Sequence, residues 1–376
     1  MALMARPRRL LGVLMLAVIA IPGLSMPFQR TRIYSAAENR ALAASPAWPQ
    51  ARAWASWPRH VDLYLGDHFA FREALAKIGN RTFGRVMAPG TPPLVLDGGD
   101  ERLFLFEGLL ASTGHEVDAE GAADYANFVC DMAGRLRAMR VRLVVSIAPS
   151  PADIYPDDTP DVALPVYNPT NYDLVMGGLR GCGVPAVDLR PPLRAAKGLG
   201  QLYRRTDTHW TPLAGLIAYN RVVAAMGRPD FAMPLAGVRW TPATLMDGDL
   251  PRLAGQAPIP EMVMYPDILQ LPEWVRRTTL SGFQAKPTPL SLITGRSGPT
   301  VLIVGDSFTA SYFPPYFAHF VSRVVWANQE DCRFDWNIVI SVKPDFVLLM
   351  PTERLARCPG KGRPANYASQ PRGDSQ

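Results

Sequence analysis

Apolar residues recur along this chain with two alternating periods. Within residues 118–140, Tyr125, Phe128, Val129, Met132, Leu136 and Met139 stand three or four apart and line one face of a long amphipathic helix. Residues 141–148 follow as a mainly apolar run that ends at Pro149-Ser150-Pro151. Such a run, apolar on both sides rather than alternating, is the pattern of a strand buried on both faces. A helix over 172–181 and a strand over 184–189 repeat the unit. Thr211 and Pro212 give an N-cap and a first-turn proline for a helix reaching 226. The strand at 300–304 runs into Gly305-Asp306-Ser307, and a helix at 308–320 and strands at 321–326 and 346–350 complete the set. Helices alternating with buried strands predict an α/β fold with mainly parallel strands.

The flanking and intervening segments read differently. Residues 94–96 and 103–106 form a hairpin around Asp97-Gly98-Gly99-Asp100 and are expected to open the sheet. Residues 59–86 suit a pair of short amphipathic helices, with Asp67-His68-Phe69 at their junction and His68 orienting the pair. Between 229 and 299 the periodicity dissolves into prolines, short apolar runs and charges, which reads as an insertion; Gly248-Asp249-Leu250 and Trp274 stand out there without a derivable role. At the amino terminus, Arg6-Pro7-Arg8-Arg9 precedes an uncharged apolar run over 10–24 that continues to 28. A positive flank before such a run is the pattern of a secretory signal or a signal anchor, and the lack of a well-placed small-residue cleavage site favours the anchor. The expected organisation is therefore an anchor or signal segment at 1–28, a linker at 29–58, one catalytic-sized domain at 59–358 and a disordered tail at 359–376.

Composition narrows the possibilities. The chain has 376 residues, 48% of them hydrophobic, enough for a substantial core. Its net charge of +6 includes the arginines before the apolar run, so the remainder is only mildly basic, and no array of arginines and aromatics points to nucleic acid. Cys130, Cys182, Cys332 and Cys358 lack C-x-x-C spacing, which argues against a zinc or redox motif. In an oxidising compartment they allow three pairings, of which Cys130–Cys182 with Cys332–Cys358 is preferred because each joins nearby elements.

The candidate chemistry lies at strand and helix ends. Ser307 follows a buried strand at a tight turn, where a hydroxyl is presented at the carboxyl rim of a parallel sheet, the rim at which such sheets bind ligands. A serine nucleophile needs an imidazole to take its proton and a carboxylate to orient that imidazole. Asp207 and His209 supply both two residues apart, on side chains that an extended loop would point the same way. Asp207-Thr208-His209 alone is equally a capped loop or part of a metal site, but no further histidine or cysteine stands at ligand spacing, so neither metal nor cofactor is expected. The Ser307 N–H is the first candidate donor to an oxyanion; Ser150 and Asn328 are candidates for a second, and Tyr312 for a wall of the substrate site, with Tyr316 beside it. Asp306 is assigned to the turn itself, and Asp188, at a strand end, to capping the next turn.

Taken in order, Asp67-His68-Phe69 with Arg72, Ile154-Tyr155-Pro156, Thr206-Asp207-Thr208-His209-Trp210, Gly248-Asp249-Leu250, Gly305-Asp306-Ser307-Phe308 and Lys343-Pro344-Asp345 resemble the alginate O-acetyltransferase family of the AlgJ and AlgX type. The resemblance spans roughly residues 59–353. It implies an SGNH-hydrolase-like three-layer α/β sandwich with insertions, in which Ser307 accepts an acetyl group, His209 is the base and Asp207 its partner. It further implies an inner-membrane protein facing the periplasm, an exported polysaccharide as acceptor, and a multispanning membrane-bound O-acyltransferase as acetyl supplier. Two departures stand out. The family tends to carry a lysine after the strand-end proline, where this chain reads Pro149-Ser150-Pro151-Ala152, and no stretch is left for the carbohydrate-binding module of the AlgX type, so the AlgJ type is expected. An acetylesterase with the same triad and a non-catalytic polysaccharide-binding or assembly protein are the rival readings; the residues do not separate water from a sugar hydroxyl as acceptor.

Overall fold

The computed structural model describes residues 94–160, 169–283, 287–329 and 332–358, together with 34–35, 40–41, 45–46, 48 and 57–68. The expected anchor, most of the linker, the second helix of the expected pair and the tail past 358 lie outside the described residues. Among the described residues no helix is long and apolar enough to cross a membrane. The chain forms two compact units, one of residues 1–91, 252–256 and 364–376, the other of 92–251 and 257–363. In the first, Tyr34–Ser35 pairs antiparallel with Arg40–Ala41, and the helix Trp57–His68 ends with the His68 ring 4.3 Å from that of Tyr64, one turn back.

The larger unit begins with a hairpin, β1 (Val95–Asp97) and β2 (Leu103–Leu105), which forms a sheet of its own rather than opening the central one. Phe106, expected in that strand, instead starts a helix. Helix α1 (Ala119–Ala138) is capped by Asp118, whose side chain accepts from Gly121 N–H, and carries Arg135 and Arg137 in its last turn, where the helix dipole favours positive charge. Strand β3 (Arg142–Ile147), helix α2 (Asn171–Gly181), strand β4 (Ala186–Asp188) and helix α3 (Pro212–Ala225) follow in the expected order. Thr211 caps α3 through its side chain, with Pro212 in the first turn.

The described part of the segment read as patternless has regular structure. It contains the hairpin β5 (Trp240–Leu245) and β6 (Glu261–Pro266), the short helix α4 (Asp249–Leu253) between them, and strands β7 (Arg276–Thr279) and β8 (Leu290–Ile293). Its strands were hidden for physical reasons. Pro242 lies inside β5, where a proline argues against a strand in the sequence, and β7 reads Arg-Arg-Thr-Thr because it is an edge strand, where charge protects the open backbone. Next come β9 (Thr300–Gly305), α5 (Ser307–Ala310), α6 (Phe313–Ala318), β10 (Arg323–Asn328), α7 (Trp336–Val342) and β11 (Phe346–Met350). The single helix expected over 308–320 is broken in two, with Pro314 in the first turn of the second piece.

The central sheet has seven strands in the order β4-β3-β11-β9-β10-β8-β7. The first five run parallel; β8 pairs antiparallel with β10, and β7 antiparallel with β8, so that only β8 runs against the rest. The serine-bearing strand β9 is thus the middle strand. Val301 and Ile303 face a core shared with α3 and α6, while Leu302 and Val304 face a second core shared with α1, α2 and α7. Helices cover both faces, which explains why this strand reads as an unbroken apolar run. The disulfides join Cys130 to Cys182, tying α1 to the end of α2, and Cys332 to Cys358, the preferred pairing.

Candidate active site

At the carboxyl end of β9 the chain turns sharply into α5, and Asp306 builds the turn. Its side chain accepts from Phe308 N–H at 3.0 Å and from Thr352 N–H at 2.6 Å, pinning the turn to the second residue after β11. Gly305 is required because a β-carbon there would stand 2.8 Å from the carbonyl oxygen of Met350 on the neighbouring strand. Ser307 is consequently the first helical residue, exposed at the rim, and its N–H belongs to the opening turn, to which the helix offers no carbonyl.

Residues 203–210 form a loop closed by a bridge between Tyr203 and Trp210 and reaching the same rim. Trp210 is fully buried and donates its indole N–H to Phe308 O at 2.9 Å, so the loop and the serine helix are fastened to one another. The His209 ring packs 4.9 Å from that of Phe308. The loop is bent rather than extended. Asp207 Oδ1 accepts from both His209 N–H (2.9 Å) and Nδ1 (2.6 Å), and this local turn, not strand alternation, brings the two side chains together. His209 Nε2 lies 2.8 Å from Ser307 Oγ. A carboxylate can only accept, so Nδ1 carries the proton and Nε2 presents its lone pair to the serine hydroxyl.

Asp207 is buried and its oxygens are fully engaged: Oδ2 accepts from Arg204 at 3.0 Å and from Asp249 N–H at 3.3 Å. Burial pushes its carboxyl up, but the hydrogen bond and charge of His209 and the charge of Arg204 outweigh that and hold it below the usual carboxylate range. Asp249 goes the other way, raised by burial and by the charge of Asp207. Asp207, His209 and Asp249 bring one potential metal ligand each within 4.8 Å of one another. They do not fit an ion. Two ligands on one tetrahedral zinc at about 2.1 Å stand about 3.4 Å apart, whereas Nδ1 and Oδ1 are 2.6 Å apart, and both Asp249 oxygens are taken by Thr208, at 2.8 Å from its N–H and 2.6 Å from its hydroxyl.

The other expected site residues divide. Asn328 ends β10 directly opposite Gly305, on the rim beside Ser307. Tyr312 lies against Gly215, with its phenol raised by burial first and by the neighbouring Tyr265 second. Tyr316 is buried and donates to Pro212 O, a core role. Ser150 spends its N–H on Asp153 (3.0 Å) and Glu353 (3.1 Å), so its backbone is not free to serve an oxyanion; its hydroxyl lies 3.4 Å from Gly108 O, and the residue lines a depression shared with Thr208, Phe308 and Thr352. Asp188 accepts from Arg190 N–H and pairs with its guanidinium, closing the turn as expected. The residues that went unrecognised are Arg204, Asp249 and Glu261. Gly248-Asp249-Leu250 stood out as a motif, and Gly248 proves necessary because a β-carbon would meet the Thr206 carbonyl; Glu261 carried no sequence signal.

The chain is 27% identical over 257 residues to the probable alginate O-acetylase AlgJ of Azotobacter vinelandii, covering 66% of this chain and 63% of that one. It is 27% identical over 172 residues to the protein of the same description from Pseudomonas syringae pv. tomato, covering 46% and 43%. It thus spans less than two thirds of the length of either relative. Among solved structures, Bacillus cereus PatB1 superposes with a TM-score of 0.52 at 11% identity, over 71% of this chain and 98% of that one, a likeness of fold. The model of an SGNH hydrolase-like domain, acetyltransferase AlgX, matches residues 95–337, a span that takes in the loop of Asp207 and His209 and the turn of Ser307. The chain belongs to the SGNH-hydrolase-like family of the AlgX acetyltransferase domain.

Proposed function

We propose that this protein is an O-acetyltransferase that carries an acetyl group on Ser307 and passes it to a hydroxyl of an exported polysaccharide. The observation that carries the reading is the continuous line from Asp207 Oδ1 through both nitrogens of His209 to Ser307 Oγ, with contacts of 2.6 and 2.8 Å. In the first half-reaction Ser307 Oγ attacks the acetyl carbonyl carbon while its proton moves to His209 Nε2, and the donor leaves with that proton. The imidazolium formed in between is stabilised by Asp207, which is already ionised. The Ser307 N–H, in the opening turn of α5, is the first candidate donor to the oxyanion, with Asn328 at the neighbouring strand end as the second. In the second half-reaction an acceptor hydroxyl gives its proton to Nε2 and takes the acetyl group, and Oγ recovers the proton.

The names of the relatives support an alginate-like polysaccharide as acceptor. The basic flank and apolar run at the amino terminus, together with two disulfides, support a periplasmic domain held at the inner membrane, supplied with acetyl groups by a multispanning acyltransferase. The test is to incubate the protein with an activated acetyl ester and an alginate oligosaccharide. Transfer to the oligosaccharide in excess of free acetate is expected; acetate release alone would identify an esterase, and neither product would remove the catalytic reading.

A further inference from the structure

The insertion between α3 and β9 contributes a second set of groups to the site, and Glu261 is the centre of it. Glu261 is 8% exposed and opens β6, yet its carboxylate takes donors from a loop more than fifty residues away. Oε1 accepts from Gln201 Nε2 and from Arg205 N–H, both at 2.5 Å. Oε2 accepts from the Thr206 hydroxyl at 2.6 Å and the Thr206 N–H at 3.2 Å, and lies 3.6 Å from Arg204 Nε. Arg204 is in turn the guanidinium that holds Asp207 Oδ2. The Thr206 carbonyl accepts from Leu250 N–H, and Asp249 holds Thr208 by two bonds, so the loop that carries the Asp207–His209 pair is gripped immediately before and between those residues.

We infer that Glu261 is a positioning residue for the serine chemistry: it fixes the backbone of residues 204–206 and the orientation of Arg204, and through them sets the Asp207–His209 geometry. The inference rests on the reading of Ser307, His209 and Asp207 as the reacting set. Both carboxylate oxygens face two hydrogen-bond donors each, so an amide of the same shape must turn its NH₂ toward donors wherever it points. A displacement of about 1 Å in a catalytic pair can cost a factor of about 100.

The experiment compares the wild type with Glu261→Gln, Thr206→Val and Ser307→Ala. Each protein is assayed for turnover of an activated acetyl ester and for the rate at which phenylmethylsulfonyl fluoride modifies Ser307. Glu261→Gln is expected to lower kcat and the sulfonylation rate together by about 10- to 100-fold, with KM within about twofold. Thr206→Val, which removes only one of the bonds, should show a smaller loss of the same kind and carries the test should Glu261→Gln fail to fold. Folded Glu261→Gln or Thr206→Val reacting at the wild-type rate, or losing activity through KM alone, would overturn the inference. Equal labelling of wild type and Ser307→Ala would instead overturn the reading on which it rests.

Discussion

Asp207→Asn is expected to reduce turnover of an activated acetyl ester by about 10³- to 10⁴-fold with little change in KM. The reason lies in the donors around the side chain. Oδ1 receives the His209 N–H and Nδ1–H, and Oδ2 receives Arg204 and the Asp249 N–H. An asparagine that keeps its oxygen toward His209 sets its NH₂ against Arg204 and the Asp249 N–H. One that turns round sets its NH₂ against Nδ1 and selects the opposite tautomer, in which Nε2 carries a proton and cannot take another from Ser307. Steady-state kinetics on the folded variant check this. The wild-type carboxyl is depressed from an ordinary value of 3.8, so the stability it contributes is present above that pH and is lost as pH falls through the lower value of the folded protein. The orienting group therefore stays ionised across the range in which a histidine titrates.

Arg204→Met should have the largest effect on stability, about 3–5 kcal/mol, read as a fall in Tm of roughly 10 °C. Arg204 is 7% exposed and stands among Asp207 at 3.0 Å, Asp247 at 2.8 Å and Glu261 at 3.6 Å. Asp207 and Glu261 are buried, and removing the cation leaves two enclosed carboxylates without their shared counter-charge. Arg228→Met provides the contrast. Its partner Asp230 is largely exposed, and a pair of that kind contributes about 0–1 kcal/mol. Thermal melts of the two variants should differ by several degrees; equal shifts would show that Arg204 acts as an ordinary surface arginine.

The parts of the fold legible in the sequence were those in which local pattern and burial agree. Strand β9 and helix α1 bury residues that their own spacing announces, and Thr211-Pro212 marks the start of α3 by chemistry that needs no tertiary partner. The Asp207, His209 and Ser307 set was legible because nucleophile, base and orienting group are distinctive residue types set at element ends. Their closeness depended on the structure: the Asp–His pair meets in a bend, and Trp210 joins it to the serine helix. Glu261 was invisible because a glutamate at the start of a strand shows its meaning only when folding brings residues 201–206 to it. The backbone of Ser150 shows the converse. A serine after a strand-end proline has the right location for an oxyanion donor, but the acids Asp153 and Glu353 claim its N–H.

The central claim is that Ser307 carries the acetyl group, activated by His209. Its most direct test is intact-protein and peptide mass spectrometry after brief exposure to an activated acetyl ester without acceptor. The account predicts one acetyl group, located on Ser307, absent in Ser307→Ala and strongly reduced in His209→Ala. Acetylation that persists undiminished in Ser307→Ala, or that falls on another residue of the wild type, would contradict it.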